Sequence, residues 1–99
     1  MEIKTNRSGN EFTVAPEGEI NILTAPEFEE TLNNGIEGIA LLTIDFNDCD
    51  YVSSAGLRVL LATFKTLKKN NARMRLINVG ESFMEVLENT GLDAVFDIE

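Results

Sequence analysis

The feature that most narrows the fold is a pair of apolar patterns in the middle of the chain. "IALLTIDF" (Ile39–Phe46) is a nearly continuous apolar run, the pattern of a strand buried inside a sheet. It is followed by Leu57, Leu60, Leu61, Phe64 and Leu67, at offsets 0, 3, 4, 7 and 10. That spacing places all five on one stripe of a helix. "RMRLINV" (Arg73–Val79) comes next, and its arginines alternate with Met74 and Leu76, the period of a strand. Strand, helix and strand in this order form a parallel crossover unit, which is right-handed. A chain of 99 residues has room for one domain built around such a unit.

The flanking segments extend the alternation. A weak strand at Glu2–Lys4, a turn at Gly9-Asn10 and a strand at Glu11–Ala15 make an N-terminal antiparallel hairpin. In "NILTAPEFEETLNN", Thr24 and Glu27 have capping-box spacing and Pro26 suits a first turn, so a helix begins here. The leucine-rich helix runs from Ser54 to about Lys69, with Lys65, Lys68 and Lys69 towards its C-terminus, where cations suit the helix dipole. "ESFMEVLENTGL" reads as a short helix carrying Phe83, Val86 and Leu87. Gly91 is its left-handed C-cap and Leu92 the apolar residue after it. "VFDIE" is a last strand. The expected order is β-β-α-β-α-β-α-β, an α/β fold with a mostly parallel sheet. The arginines of "RMRLINV" predict one solvated sheet face, hence helices mainly on the other.

Charge removes several classes of function. Seventeen acids stand against eight bases, a net charge of −9. Between Arg7 and Arg58 there are ten acids and no lysine or arginine. Such a surface repels phosphate backbones and anionic membranes, so no nucleic-acid partner is expected. No segment has the length of a membrane span and no signal core opens the chain. No membrane insertion is expected, and the chain reads as cytoplasmic. Cys49 is the only cysteine, which leaves no internal disulfide.

The chain contains no histidine, which excludes Ser-His and Cys-His nucleophilic pairs and histidine-bound metal. The acidic stretch "DFNDCD" offers Asp45, Asp48 and Asp50 for a phosphotransfer centre. Read as a calcium loop from Asp45, it carries Cys49, Asp50 and Gly56 where such a loop needs an oxygen ligand, a glycine and a glutamate. A solvated acidic loop is the simpler reading. No cofactor motif stands out. Ser53 and Ser54 remain. Either fits the N-cap of the leucine helix. A serine at that place is also a natural phosphate site, because the helix dipole favours the added charge.

The segment "DYVSSAGLRVLL" resembles the signature of the STAS domain, as found in bacterial anti-sigma factor antagonists. Three further stretches agree in order. "GEINILTAPEFEETL" (Gly18–Leu32) is similar to the family's Gly-Glu stretch with its Thr-Ala and helix, "ALLTIDF" to its hydrophobic strand, and "ENTGLDAVFDI" (Glu88–Ile98) to its Thr-Gly-Leu ending. The resemblance implies a β-α array with helices largely on one sheet face.

It also implies a regulatory cycle. The unphosphorylated antagonist binds an anti-sigma factor that is itself a serine kinase, and so frees the sigma factor. Phosphorylation of a serine at the start of the second helix breaks the complex, and a serine phosphatase resets it. Aligned on Gly56-Leu57, that serine is Ser54, and Ser53 stands where many members have aspartate. The partner face expected around it comprises Asn21, Thr24, Ser53, Ala55, Gly56, Leu57 and Arg58. Two other functions are carried beside this one. The first is a STAS docking module in which Ser54 only caps a helix. The second is an acid-dependent phosphotransfer enzyme at Asp45, Asp48 and Asp50. The antagonist reading makes the chain a binding protein and not an enzyme.

Overall fold

The computed structural model describes residues 1–99. The order is β1 (Glu2–Ser8), β2 (Glu11–Ile20), α1 (Ala25–Gly35), β3 (Leu41–Asp45), β4 (Cys49–Val52), α2 (Ser54–Lys69), β5 (Arg73–Ile77), α3 (Glu81–Thr90), a 3-10 turn (Leu92–Ala94) and β6 (Asp97–Ile98). The sheet runs β1-β2-β3-β5-β6. Only β1 and β2 pair antiparallel; the other pairs are parallel. Every parallel neighbour of the main path is reached through a helix or the 3-10 turn, as parallel strands require.

The expected α/β architecture is present, with one more strand than the sequence patterns gave. In the sequence β4 falls within an acidic loop, because four residues that include Asp50 show no apolar period. It gains its place from β2, pairing Gly18–Ile20 in parallel with Cys49–Val52. β2 is also longer than expected and passes through Pro16. That residue lies between Val14, where β3 stops pairing with β2, and Gly18, where β4 starts. There β2 has a strand on one side only, and the missing proline N–H costs the ladder nothing. The register shifts between Gly18 and Glu19. Gly18 has φ of +89°, a conformation natural to glycine.

Core residues come from one face of the sheet. Phe12 and Val14 of β2, Leu42 and Ile44 of β3, and Met74 and Leu76 of β5 are buried with Phe28 and Leu32 of α1, Leu60 and Leu67 of α2, and Leu87 of α3. On the opposite face, Arg75 Nε donates to Thr43 Oγ1 at 2.8 Å, and Arg75 and Arg73 pair with Glu99 and Asp97. The arginine alternation thus marks the face without helices.

α2 has the bounds the sequence predicts, but it is turned about its axis. Its buried line is Gly56, Val59, Leu60, Thr63 and Leu67. Leu57, Leu61 and Phe64 pack against the core from the side, half-buried. The leucine count pointed to one stripe, whereas the deepest line is set by the small residues that let the helix approach the sheet. In α3, Phe83 and Leu87 are buried and Val86 is exposed. Gly91 is the left-handed C-cap, at φ +76°.

Candidate functional site

Two turns meet at the C-terminal ends of the parallel strands β2 and β4. The first, Asn21–Thr24, leads into α1. Asn21 Oδ1 accepts from the N–H groups of Leu23 and Thr24, at 2.9 and 3.1 Å. Thr24 Oγ1 donates to the Glu19 carbonyl and accepts from Asn21 N–H, both at 2.8 Å. The capping box predicted for Thr24 and Glu27 does not form, since Thr24 makes no side-chain cap bond to α1. Its hydroxyl is already used within the turn, and the Glu27 carboxylate instead lies 3.6 Å from the Met1 amine. Asn21 and Thr24 therefore hold the turn's shape.

What this turn presents is apolar. Ile22 and Leu23 are 78% and 85% exposed. Both lie within the expected contact loop Asn21–Thr24, in which the sequence singles out only Asn21 and Thr24. Their signal was an apolar pair in a turn, outside both the strand and the helix period.

The second turn is the serine junction. Ser53 N–H donates to the Ile20 carbonyl at 2.8 Å, fastening this turn to the end of β2. Ser53 is the N-cap of α2, and its carbonyl accepts from Leu57 N–H at 2.9 Å. Its side chain makes no cap bond, and its Oγ is buried without a partner. Ser54 is the first residue of the helix and is exposed. Ser53 thus occupies the capping position without the side-chain bond the position permits.

Gly56 departs from the expected contact surface. It is buried against the sheet, and a Cβ there would stand 2.7 Å from Val52 Cγ1 and 2.8 Å from Ile20 Cγ2. Its backbone angles are ordinary. What demands glycine is the approach of α2 to β2 and β4, so Gly56 positions the serines from behind and offers no outer surface. Leu57 is also half inside, packed on the core. Ala55 is likewise half-buried and packed on the core, and Arg58 is exposed.

Beyond the serines, α1 and α2 leave a groove of about 400 Å³. Ile22, Pro26 and Glu29 line one side, and Ala55, Arg58 and Ala62 the other. Small side chains on α2 make it shallow, and Arg58 and Glu29 give it one charge of each sign. Tyr51, on β4 just before the serines, is 53% exposed.

The acidic alternative lacks the geometry for metal chemistry. Asp45 Oδ1 accepts from Asn47 N–H and Asn78 Nδ2, both at 2.9 Å, and Asp48 Oδ1 accepts from Asn47 Nδ2 at 3.1 Å. These carboxylates tie the loop together, through one backbone N–H and two asparagine side chains. No group of three or more His, Cys, Asp or Glu side chains is placed to hold a metal ion. Burial raises the pKa of the Cys49 thiol, with the Asp50 and Glu19 charges adding to the effect against hydrogen bonds from the backbone. A thiol kept protonated is a poor nucleophile. No helix is long and apolar enough to cross a membrane.

Comparison with known proteins identifies the family. The STAS domain family model matches residues 2–99. An anti-sigma-B factor antagonist of Bacillus subtilis is 34% identical over 99% of this chain and 88% of its own. One from Listeria monocytogenes is 32% identical over 100% of this chain and 87% of its own. The crystal structure of an anti-sigma factor antagonist from Mycobacterium paratuberculosis superposes with a TM-score of 0.87, at 26% identity, over 98% of this chain and 83% of that one. The chain belongs to the STAS domain family, and its relatives there are bacterial anti-sigma factor antagonists.

Proposed function

We propose that this protein is an anti-sigma factor antagonist switched by phosphorylation of Ser54. Unmodified, it binds an anti-sigma factor that is also a serine kinase, and so releases the sigma factor. The kinase then transfers the γ-phosphoryl group of ATP to Ser54 Oγ. The new Oγ–P bond replaces the bond to ADP, and the hydroxyl proton leaves to a base of the kinase. A serine phosphatase restores the hydroxyl with water. The exchange takes place in the cytoplasm, and the antagonist is a binding protein without catalysis of its own.

The observation that carries this reading is the exposed Ser54 on the first turn of α2, whose neighbour Ala55 shares a groove with Ile22 of the exposed apolar pair Ile22 and Leu23. A kinase can dock on the apolar turn and reach the hydroxyl in the same contact. The phosphate, about −1.5 to −2 charges, then lies at the positive end of a 16-residue helix, where it is tolerated without melting the fold. The docking-module reading gives Ser54 only a capping role, whereas the N-cap position of α2 is held by Ser53 and Ser54 is the first residue within the helix.

Treatment with the cognate kinase and ATP, followed by mass spectrometry of the peptides, tests the assignment. Phosphate is expected on Ser54 alone, unchanged in Ser53→Ala and absent in Ser54→Ala. Phosphate on Ser53, or on neither serine with a kinase shown to be active, would favour the docking module.

A further inference from the structure

Phosphorylation adds charge to an end of the molecule that is already acidic. The elements that meet there carry Glu19 on β2, Glu29 on α1 and Asp50 on β4. Of the bases, Arg58 is the only one between Arg7 and Lys65. Arg7 is committed elsewhere, its guanidinium donating to the carbonyls of Gly9, Gly35 and Glu37. Lys4 pairs with Glu17. Arg58, by contrast, is exposed and has no carboxylate within 4.0 Å, although Glu29 lines the same groove.

Ser54 and Arg58 are both on α2, four residues apart. Positions i and i+4 lie one above the other on a helix surface, with Cβ atoms about 5–6 Å apart. An arginine side chain easily spans that interval, and its planar fork matches two phosphate oxygens. We propose that Arg58 is an internal receptor for the phosphate on Ser54, so that modification withdraws from the partner face the cation that face presents when Ser54 is free. The inference rests on the reading of Ser54 given above.

The switch then has two parts. The phosphate adds negative charge and bulk at the contact. The same phosphate also turns Arg58 back along its own helix, away from any carboxylate of the partner. N–H groups in the first turn of α2 share the phosphate's remaining oxygens, since they have no intrahelical acceptors.

The test uses the full chain with phosphoserine placed at position 54 during synthesis, so that no kinase is needed. The second ionisation of the phosphate is followed by phosphorus NMR in the parent, Arg58→Gln and Arg58→Lys proteins, with amide spectra confirming that each is folded. A cation beside the phosphate favours the dianion, so the parent's midpoint is expected below that of Arg58→Gln by about half a pH unit or more. Arg58→Lys, which keeps the charge and loses the fork, falls between them. High salt narrows the difference, because the pair is exposed. Identical titrations in the parent and Arg58→Gln proteins overturn the proposal. The two readings fail separately: a kinase that never modifies Ser54 removes the switch, whereas this titration alone decides whether Arg58 receives the phosphate.

Discussion

At Gly56 a single hydrogen in place of a side chain decides where α2 sits. Any Cβ would come within 3 Å of Val52 and Ile20, closer than packed carbon atoms approach. Gly56→Leu therefore acts first on the fold. Overpacking of this kind costs about 1–3 kcal/mol or more, and denaturant melts should show the loss directly. Unchanged stability would mean that α2 stands further from the sheet than described. Ser53 makes a related point. Its hydroxyl is buried with no partner, at a position where its backbone N–H and carbonyl are both engaged. Its backbone joins β2 to α2, while Ser54, one residue on, is exposed. The neighbouring serines thus differ in exposure, a difference that their shared chemistry hides in the sequence.

At the scale of elements, α2 rests on the inner line that includes Leu60 and Leu67, which are 0% and 1% exposed. Leu60→Ala should cost about 2–5 kcal/mol, the range for a filled core position. Leu61→Ala should cost less, because Leu61 is only half-buried. Equal losses from the two would contradict the observed rotation of the helix. The bounds of α2 could be read from its apolar period and its closing lysines. Its rotation could not, because Val59, Thr63 and Gly56 carry a weaker apolar signal than Leu57 and Leu61 and are buried by contacts distant in sequence. β4 was hidden for a similar reason, since its pairing depends on where β2 ends and not on its own residues. The candidate site was partly readable. The serine junction, Arg58 and the Asn21–Thr24 turn stand out as chemistry in an otherwise regular pattern. The exposure of Ile22 and Leu23 depends on how Asn21 and Thr24 bond within that turn, which no periodicity encodes.

At the scale of the whole molecule, charge is sorted by element. α1 and α3 carry glutamates and no base, while α2 carries Arg58, Lys65, Lys68 and Lys69 and no acid. Among the bases, only Lys4, Arg73, Arg75 and the N-terminal amine form ion pairs. The cations of α2 are thus unpaired, and Lys68 lies over the Phe64 ring at 5.8 Å. Of these only Arg58 lines the groove with Ile22, and a partner seated on the apolar turn is expected to meet it with a carboxylate. Charged contacts at the rim mainly set association rates and fade with salt, whereas the apolar centre holds the complex. A phosphate on Ser54 lies at the edge of that centre. The most direct test of the switch is a calorimetric titration of the cognate anti-sigma kinase with two forms of the full chain, unmodified and carrying phosphoserine at position 54. The unmodified form is predicted to bind at least about tenfold more tightly, a difference of ~1.4 kcal/mol or more, while melting curves show both forms folded. Equal affinity of the two folded forms would contradict the switch.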